Sequence, residues 1–183
     1  MRTSRLALIA ATTGALLHLR WCLQLLPERI ATHFGPGGAA DGFSSRSGFL
    51  WTGLLLIFSF GLMAVLLGLL LRVMPVSLVN VPHREYWLTG ERRQRSLERL
   101  RTAMEWFGVI DVLFAVGVNH SIAQSNAASE TAEAARLGSD FYLLLGGFLF
   151  ATIVWVVWLL RSFPKPPEGE PGQPETAEPL QPI

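Results

Sequence analysis

LLLIFSFGLMAVLLGLLL, residues 54–71, runs without a single charged side chain. A helix needs about 20 apolar residues to cross the hydrocarbon of a bilayer. A helix also satisfies its own backbone hydrogen bonds where no water can. Extended to Phe49–Met74, this run is predicted to be a transmembrane helix. Working outward, three more runs qualify, at about 6–26, 104–122 and 141–160. The last reads FYLLLGGFLFATIVWVVWLL, whereas the third carries Asp111 and Asn119. The expected fold class is an all-α membrane protein. It has four transmembrane helices and a structured external loop between helices one and two.

Composition agrees. Of 183 residues, 50% are hydrophobic and 16% charged, against about 25% charged in soluble domains. A formal net charge of +1 offers no basic excess for nucleic acid. The single cysteine, Cys22, excludes an intrachain disulfide and a multi-cysteine zinc site. Within an apolar run it reads as a small packed hydrophobe. The first run starts with Arg2 and Arg5, as a signal peptide would. Its apolar stretch continues past His18 and Arg20 without a small-residue cleavage site, so it reads as a retained helix.

Arginine distribution predicts the orientation. Seven arginines lie between Arg72 and Arg101. Residues 27–48 carry only Arg29 and Arg46, and the last connection carries Arg136 against Glu130, Glu133 and Asp140. Arg161 and Lys165 follow the fourth helix. Both termini are therefore expected in the cytoplasm, with residues 27–48 outside. Residues 90–104 form an amphipathic cytoplasmic extension of the third helix, Thr89 being its expected N-cap. Residues 1–162 make the membrane domain. The Pro- and Glu-rich residues 163–183 are expected to be a disordered cytoplasmic tail.

Close approach of small residues drives helix packing in lipid. Gly53, Gly61, Ala64 and Gly68 form one stripe, Ala7, Ala11 and Gly14 a second with His18, Gly147 and Ala151 a third. Gly108, Asp111, Ala115 and Asn119 form the fourth. Intramembrane polar groups usually face the bundle or water. Asp111 is expected to make an interhelical contact, with a proton or ion relay as the alternative, and Arg20 to anchor at the external interface. His18, His33 and His120 fall toward the external side, and with Asp41 or Glu28 they have enough ligands for zinc. No two of the histidines stand four apart, and each reads as a satisfied interfacial side chain. The expectation is no metal and no cofactor.

The loop LPERIATHFGPGGAADG, residues 26–42, is richer in signals than a linker requires. Pro27 ends the first helix. Ile30 and Phe34, on either side of His33, suggest a helical turn resting on the membrane surface. The glycines from Gly35 to Gly38 and the pair Asp41-Gly42 mark turns. His33 is expected against the turn of Gly38, Asp41 and Gly42, its ring bonded to Asp41 or to loop backbone.

Leu26-Pro27, Ile30, His33-Phe34, Gly38, Asp41-Gly42 and Ser45-Arg46 resemble the LP-x-x-I-x-x-H-[FW]…G…DG…S-[KR] signature of the bacterial domain-of-unknown-function 1648 family. Arg46 stands where lysine is usual. A second block, Asn80-x-Pro82 followed by Tyr86-Trp87-Leu88, is similar to the N-[IV]-P-x-x-x-YWL block of that family, so the resemblance spans roughly residues 10–110. The family includes the amino-terminal part of SdpI-type immunity proteins, and the resemblance implies a bacterial membrane protein. The sequence has no H-E-x-x-H, no G-x-S-x-G and no phosphate-cradling glycine loop before a lysine. The expected role is accordingly a non-enzymatic binding or regulatory module, immunity- or signalling-like. Its partners would be the lipid bilayer and a peptide or protein ligand at the external loop, and self-association is compatible with it. The alternative is a small transporter or ion-coupled carrier using Asp111 and the external histidines.

Overall fold

The computed structural model describes residues 2–168. It is mostly helical, and four helices are long and apolar enough to cross a membrane: α1 Thr3–Leu25, α2 Arg46–Val73, α4 Arg92–Ala127 and α5 Ser139–Arg161. Between α1 and α2 lies an antiparallel hairpin, β1 Arg29–Phe34 and β2 Ala40–Ser45. A single turn, α3 Arg84–Trp87, precedes α4, and short 3₁₀ turns occupy Val76–Leu78 and Ala132–Ala134. The expected extension 90–104 and the run 104–122 are one continuous helix of 36 residues. Neither glycine nor proline interrupts its first four turns. Thr89 does not cap it: its hydroxyl donates to the Glu85 carbonyl at 2.8 Å, and Glu91 takes the cap position.

Helices α1 and α4 run parallel, with Ser4 beside Glu105 at one end and His18 beside His120 nearer the other. Helix α2 runs the opposite way against both. The stripe predicted on α2 lies in the interior. A Cβ on Gly53 would stand 2.7 Å from Leu19 Cδ1, and one on Gly108 would stand 2.6 Å from Ala64 Cβ. These glycines let the backbones approach where any side chain would push them apart.

Two of the predicted stripes need correction. Helix α1 buries Ser4, Leu8, Ala15, Leu19 and Cys22; of the predicted stripe Ala11 packs against that core and His18 meets α4, whereas Gly14 looks into open space. Helix α5 buries no residue, and Gly147 meets nothing. Aromatic side chains bridge α5 to α4 instead. Phe148 stacks on Phe114 with centroids 4.2 Å apart, Trp155 lies 4.5 Å from Phe107, and Trp155 Nε1 donates to the Ala103 carbonyl at 3.0 Å. Beyond the Phe114–Phe148 pair, Gly117 of α4 admits Leu144 of α5: a Cβ there would stand 2.5 Å from Leu144 Cδ1, so the small residue this contact needs lies on α4.

Opposite the hairpin, Val79, Val81, Leu88, Leu100 and Phe163 form a second apolar cluster. Trp87 Nε1 donates to the Pro164 carbonyl at 3.1 Å, and Arg99 donates to that of Ser162. Phe163 and Pro164, expected in a disordered tail, are thus packed against the Tyr86-Trp87-Leu88 block. Burial of one aromatic ring draws the chain in beyond α5. Residues 169–183 of that expected tail lie outside the described residues.

Candidate functional site: the hairpin end of the bundle

The hairpin begins where Pro27 stops α1, Leu26 being extended at ψ 138°. Residues 30–34 are strand, not the helical turn the Ile30–Phe34 spacing suggested. Ile30 and Ala31 are both fully buried, and strand pairing with Ser44 and Phe43 places them against the helix ends. At the tip, Gly38 has φ +73°, and a Cβ there would stand 3.0 Å from the Leu137 carbonyl. Only glycine meets both conditions without strain.

Three attachments hold the hairpin. Asn126 near the end of α4 acts as a strand partner: its Oδ1 accepts from Ala31 N–H at 2.8 Å, and its Nδ2 donates to the Ala31 carbonyl at 2.9 Å. The segment after α4 pairs with the tip, Leu137 N–H donating to the Gly38 carbonyl at 2.9 Å and Ala40 N–H to that of Ala135 at 3.2 Å. Arg46 at the start of α2 donates from Nε to the Leu23 carbonyl at 2.8 Å, with a second bond from Nη2. That carbonyl belongs to the last turn of α1, which has no intrahelical donor for it and carries partial negative charge. Ser45 caps α2 by accepting from Gly48 N–H at 3.1 Å.

Most of the first motif therefore builds and fastens the hairpin. His33 and Asp41 remain at its surface, 76% and 51% exposed at their side chains, with His33 Nδ1 meeting Asp41 Oδ1. The ring root crosses Gly42, where a Cβ would stand 2.8 Å from His33 Cβ. Beside them the Arg29 guanidinium lies 4.7 Å over the Phe43 ring and 2.9 Å from Glu133. Phe34 is half-buried on the same hairpin.

The three histidines do not gather. His33 stays with Asp41, while His18 Nε2 and His120 Nδ1 approach to 3.3 Å between α1 and α4. The third member of that group is Cys22, whose Sγ lies 3.5 Å from His18 Nδ1 and 3.9 Å from its Nε2. Sequence reading treated Cys22 as packing alone. The available signal was the spacing His18-x-x-x-Cys22, which sets both on one helix face. Trp21 stacks on His120 with centroids 6.0 Å apart and planes 14° apart.

The other singled-out residues are scattered. Arg20 is exposed on α1. Asn119 is buried against Gly53, and its Nδ2 has no hydrogen-bond partner among the described residues. Asp111 was expected to make an interhelical contact; it is buried and makes no hydrogen bond or ion pair among the described residues. The second motif sits at the far end of the bundle. Tyr86 is buried under the Arg92 guanidinium at 4.0 Å, Trp87 holds Phe163 edge-on, Pro82 is half-buried and Asn80 is exposed. At that end sequence reading also missed Glu105. It is 3% exposed, accepts from Ser4 Oγ at 2.6 Å, and pairs with Arg5 at 3.3 Å and Arg101 at 3.5 Å.

Comparison with curated proteins and with solved structures gives no match. One family does match, over a span narrower than the expected resemblance and without the second motif. Residues 8–58, which comprise most of α1, the whole hairpin and the first part of α2, match the family described as Domain of unknown function (DUF1648).

Proposed function

We propose that the chain is a multi-pass protein of the bacterial inner membrane, with both termini cytoplasmic and the hairpin outside. We propose further that the hairpin is the recognition platform of a non-enzymatic binding or regulatory module, immunity- or signalling-like. The observation that carries this is the division of labour within the hairpin. Arg46, Gly38, Gly42 and Ser45 hold its backbone, which leaves His33, Asp41, Arg29 and Phe43 displayed on a rigid support. Prefixed polar and aromatic groups bind with less entropy loss than a free loop. A secreted peptide or a protein ligand suits such a face. Resemblance to the amino-terminal part of SdpI-type immunity proteins points the same way.

Challenging expressing and deletion strains with a panel of membrane-active peptides tests this reading. Expression is expected to protect against at least one peptide. His33→Ala/Asp41→Ala is expected to abolish protection at unchanged membrane abundance. Exposed ion pairs contribute only about 0–1 kcal/mol to stability, so the double variant should still fold. Identical survival of expressing and deletion strains across the panel would count against the reading.

A second reading, an ion-coupled carrier, is favoured by one observation. Asp111 is buried in a helix apolar enough to cross a membrane and has no partner among the described residues. Intramembrane carboxyl groups of this kind mark ion pathways. Under the binding-module reading, Asp111→Asn keeps peptide protection and detergent stability. Ion flux in proteoliposomes that disappears in Asp111→Asn would establish the carrier instead.

A further inference from the structure

His18 and Cys22, one turn apart on α1, face His120 on α4. Both histidines stand seven residues before the end of their helix, or about 10 Å inward at 1.5 Å per residue. Cys22 is fully buried and both rings are half-buried. One nitrogen from each histidine and the cysteine sulfur all lie within 4.8 Å of one another. Neither imidazole hydrogen-bonds to anything outside the trio among the described residues. Among the described residues no carboxylate or backbone carbonyl fixes their tautomers.

The spacing fits a coordination sphere. Bonds of about 2.0–2.1 Å to imidazole nitrogen and about 2.3 Å to thiolate, at tetrahedral angles, put nitrogens about 3.3 Å apart and sulfur about 3.6 Å from each. The observed separations are 3.3 Å between His18 Nε2 and His120 Nδ1 and 3.9 Å from His18 Nε2 to Cys22 Sγ, with the third pair within 4.8 Å, so small side-chain shifts close the sphere. We propose that His18, Cys22 and His120 form a three-ligand site for a thiolate-seeking d¹⁰ metal ion, Cu(I) or Zn(II), which ties α1 to α4 beneath the hairpin. Two imidazoles and one thiolate suit both ions by softness. Charge separates them. Binding displaces the thiol proton, and a thiolate with Cu(I) is neutral, whereas with Zn(II) it leaves one positive charge in an apolar surround, where charge is costly. The site therefore favours Cu(I). Trp21, flat against His120, shields it on one side.

The test uses the full chain, purified in detergent through a tag free of histidine. Samples are loaded anaerobically with Cu(I) or with Zn(II), desalted, and measured for metal per chain. One equivalent of Cu(I) is expected, with a metal–sulfur distance in X-ray absorption. Cys22→Ser and His18→Ala/His120→Ala are expected to fall below one tenth of an equivalent, while His33→Ala keeps the full amount. Retention of one equivalent of Zn(II) alone would support the site and reassign the ion. The metal–sulfur distance in X-ray absorption gives a readout in the native chain, independent of whether a variant folds. No stoichiometric metal in the native chain, or metal retained in Cys22→Ser, would overturn the proposal. A hydrogen-bonded trio would then stand in its place.

Discussion

Asn126 is the residue on which the hairpin's seating most depends. A two-stranded hairpin is marginal alone in water, and its edge leaves backbone groups unpaired. Asn126 meets both the N–H and the carbonyl of Ala31. Each buried group orphaned by its loss costs about 1–3 kcal/mol. Asn126→Ala is expected to lower unfolding free energy by about 2–6 kcal/mol on the same basis. Asn126→Asp keeps the acceptor but sets an oxygen against the Ala31 carbonyl, so it is expected to be no better. Denaturation in detergent followed by tryptophan fluorescence measures both, and native-like stability in the two variants would show that the hairpin seats without this side chain. Nothing in the sequence points to Asn126, because its partner lies 95 residues away. The His33–Asp41 pair was legible, since eight residues and a glycine turn separate its members. Half of the His18–Cys22–His120 trio was legible too, as a spacing of four on one helix. The other half depends on how α1 and α4 pack.

Among the elements, α4 does the most joining. It lies against α1, α2 and α5, and its ends reach the hairpin and the Tyr86–Trp87 block. That it forms was readable from length, apolarity and the lack of breakers. That Glu105 would turn inward was not, because Ser4 and Arg5 come from another helix. Arg101, one turn earlier on α4, completes the network and is itself nearly buried. Removing one member of a buried ion pair costs about 3–5 kcal/mol, because the partner is left charged and unpaired. Glu105→Leu is expected to destabilise the fold by that order. Glu105→Gln still accepts from Ser4, so it is expected to lose less. Thermal unfolding in detergent ranks the two. A Glu105→Leu variant as stable as the native chain would show that the network is not holding α1 on α4. Helix α5 shows the opposite limit of legibility. Its existence was plain, but the small-residue rule named Gly147 on α5, whereas the docking uses aromatic rings and a close approach at Gly117 on α4.

At the scale of the whole molecule, the helices run up, down, up and down, with the hairpin at one end and the arginine-rich segment at the other. Large apolar side chains remain exposed along α2 and α5, among them Leu55, Leu62, Leu143, Phe150 and Ile153. Apolar faces this extensive on a soluble chain would associate; on the proposed reading they meet lipid. The arginines at the far end would lie at the anionic cytoplasmic leaflet, which attracts them by about 1 kcal/mol each. The central claim is that the hairpin faces outward while the start of α4 faces the cytoplasm. It is tested most directly by thiol accessibility in intact cells. Single cysteines are introduced on a Cys22→Ser background, as Pro36→Cys at the exposed hairpin tip and Gln94→Cys on the exposed first turn of α4. A membrane-impermeant maleimide is expected to label Pro36→Cys in intact cells, and Gln94→Cys only after permeabilisation. Labelling of Gln94→Cys from outside, with Pro36→Cys protected, would contradict the account.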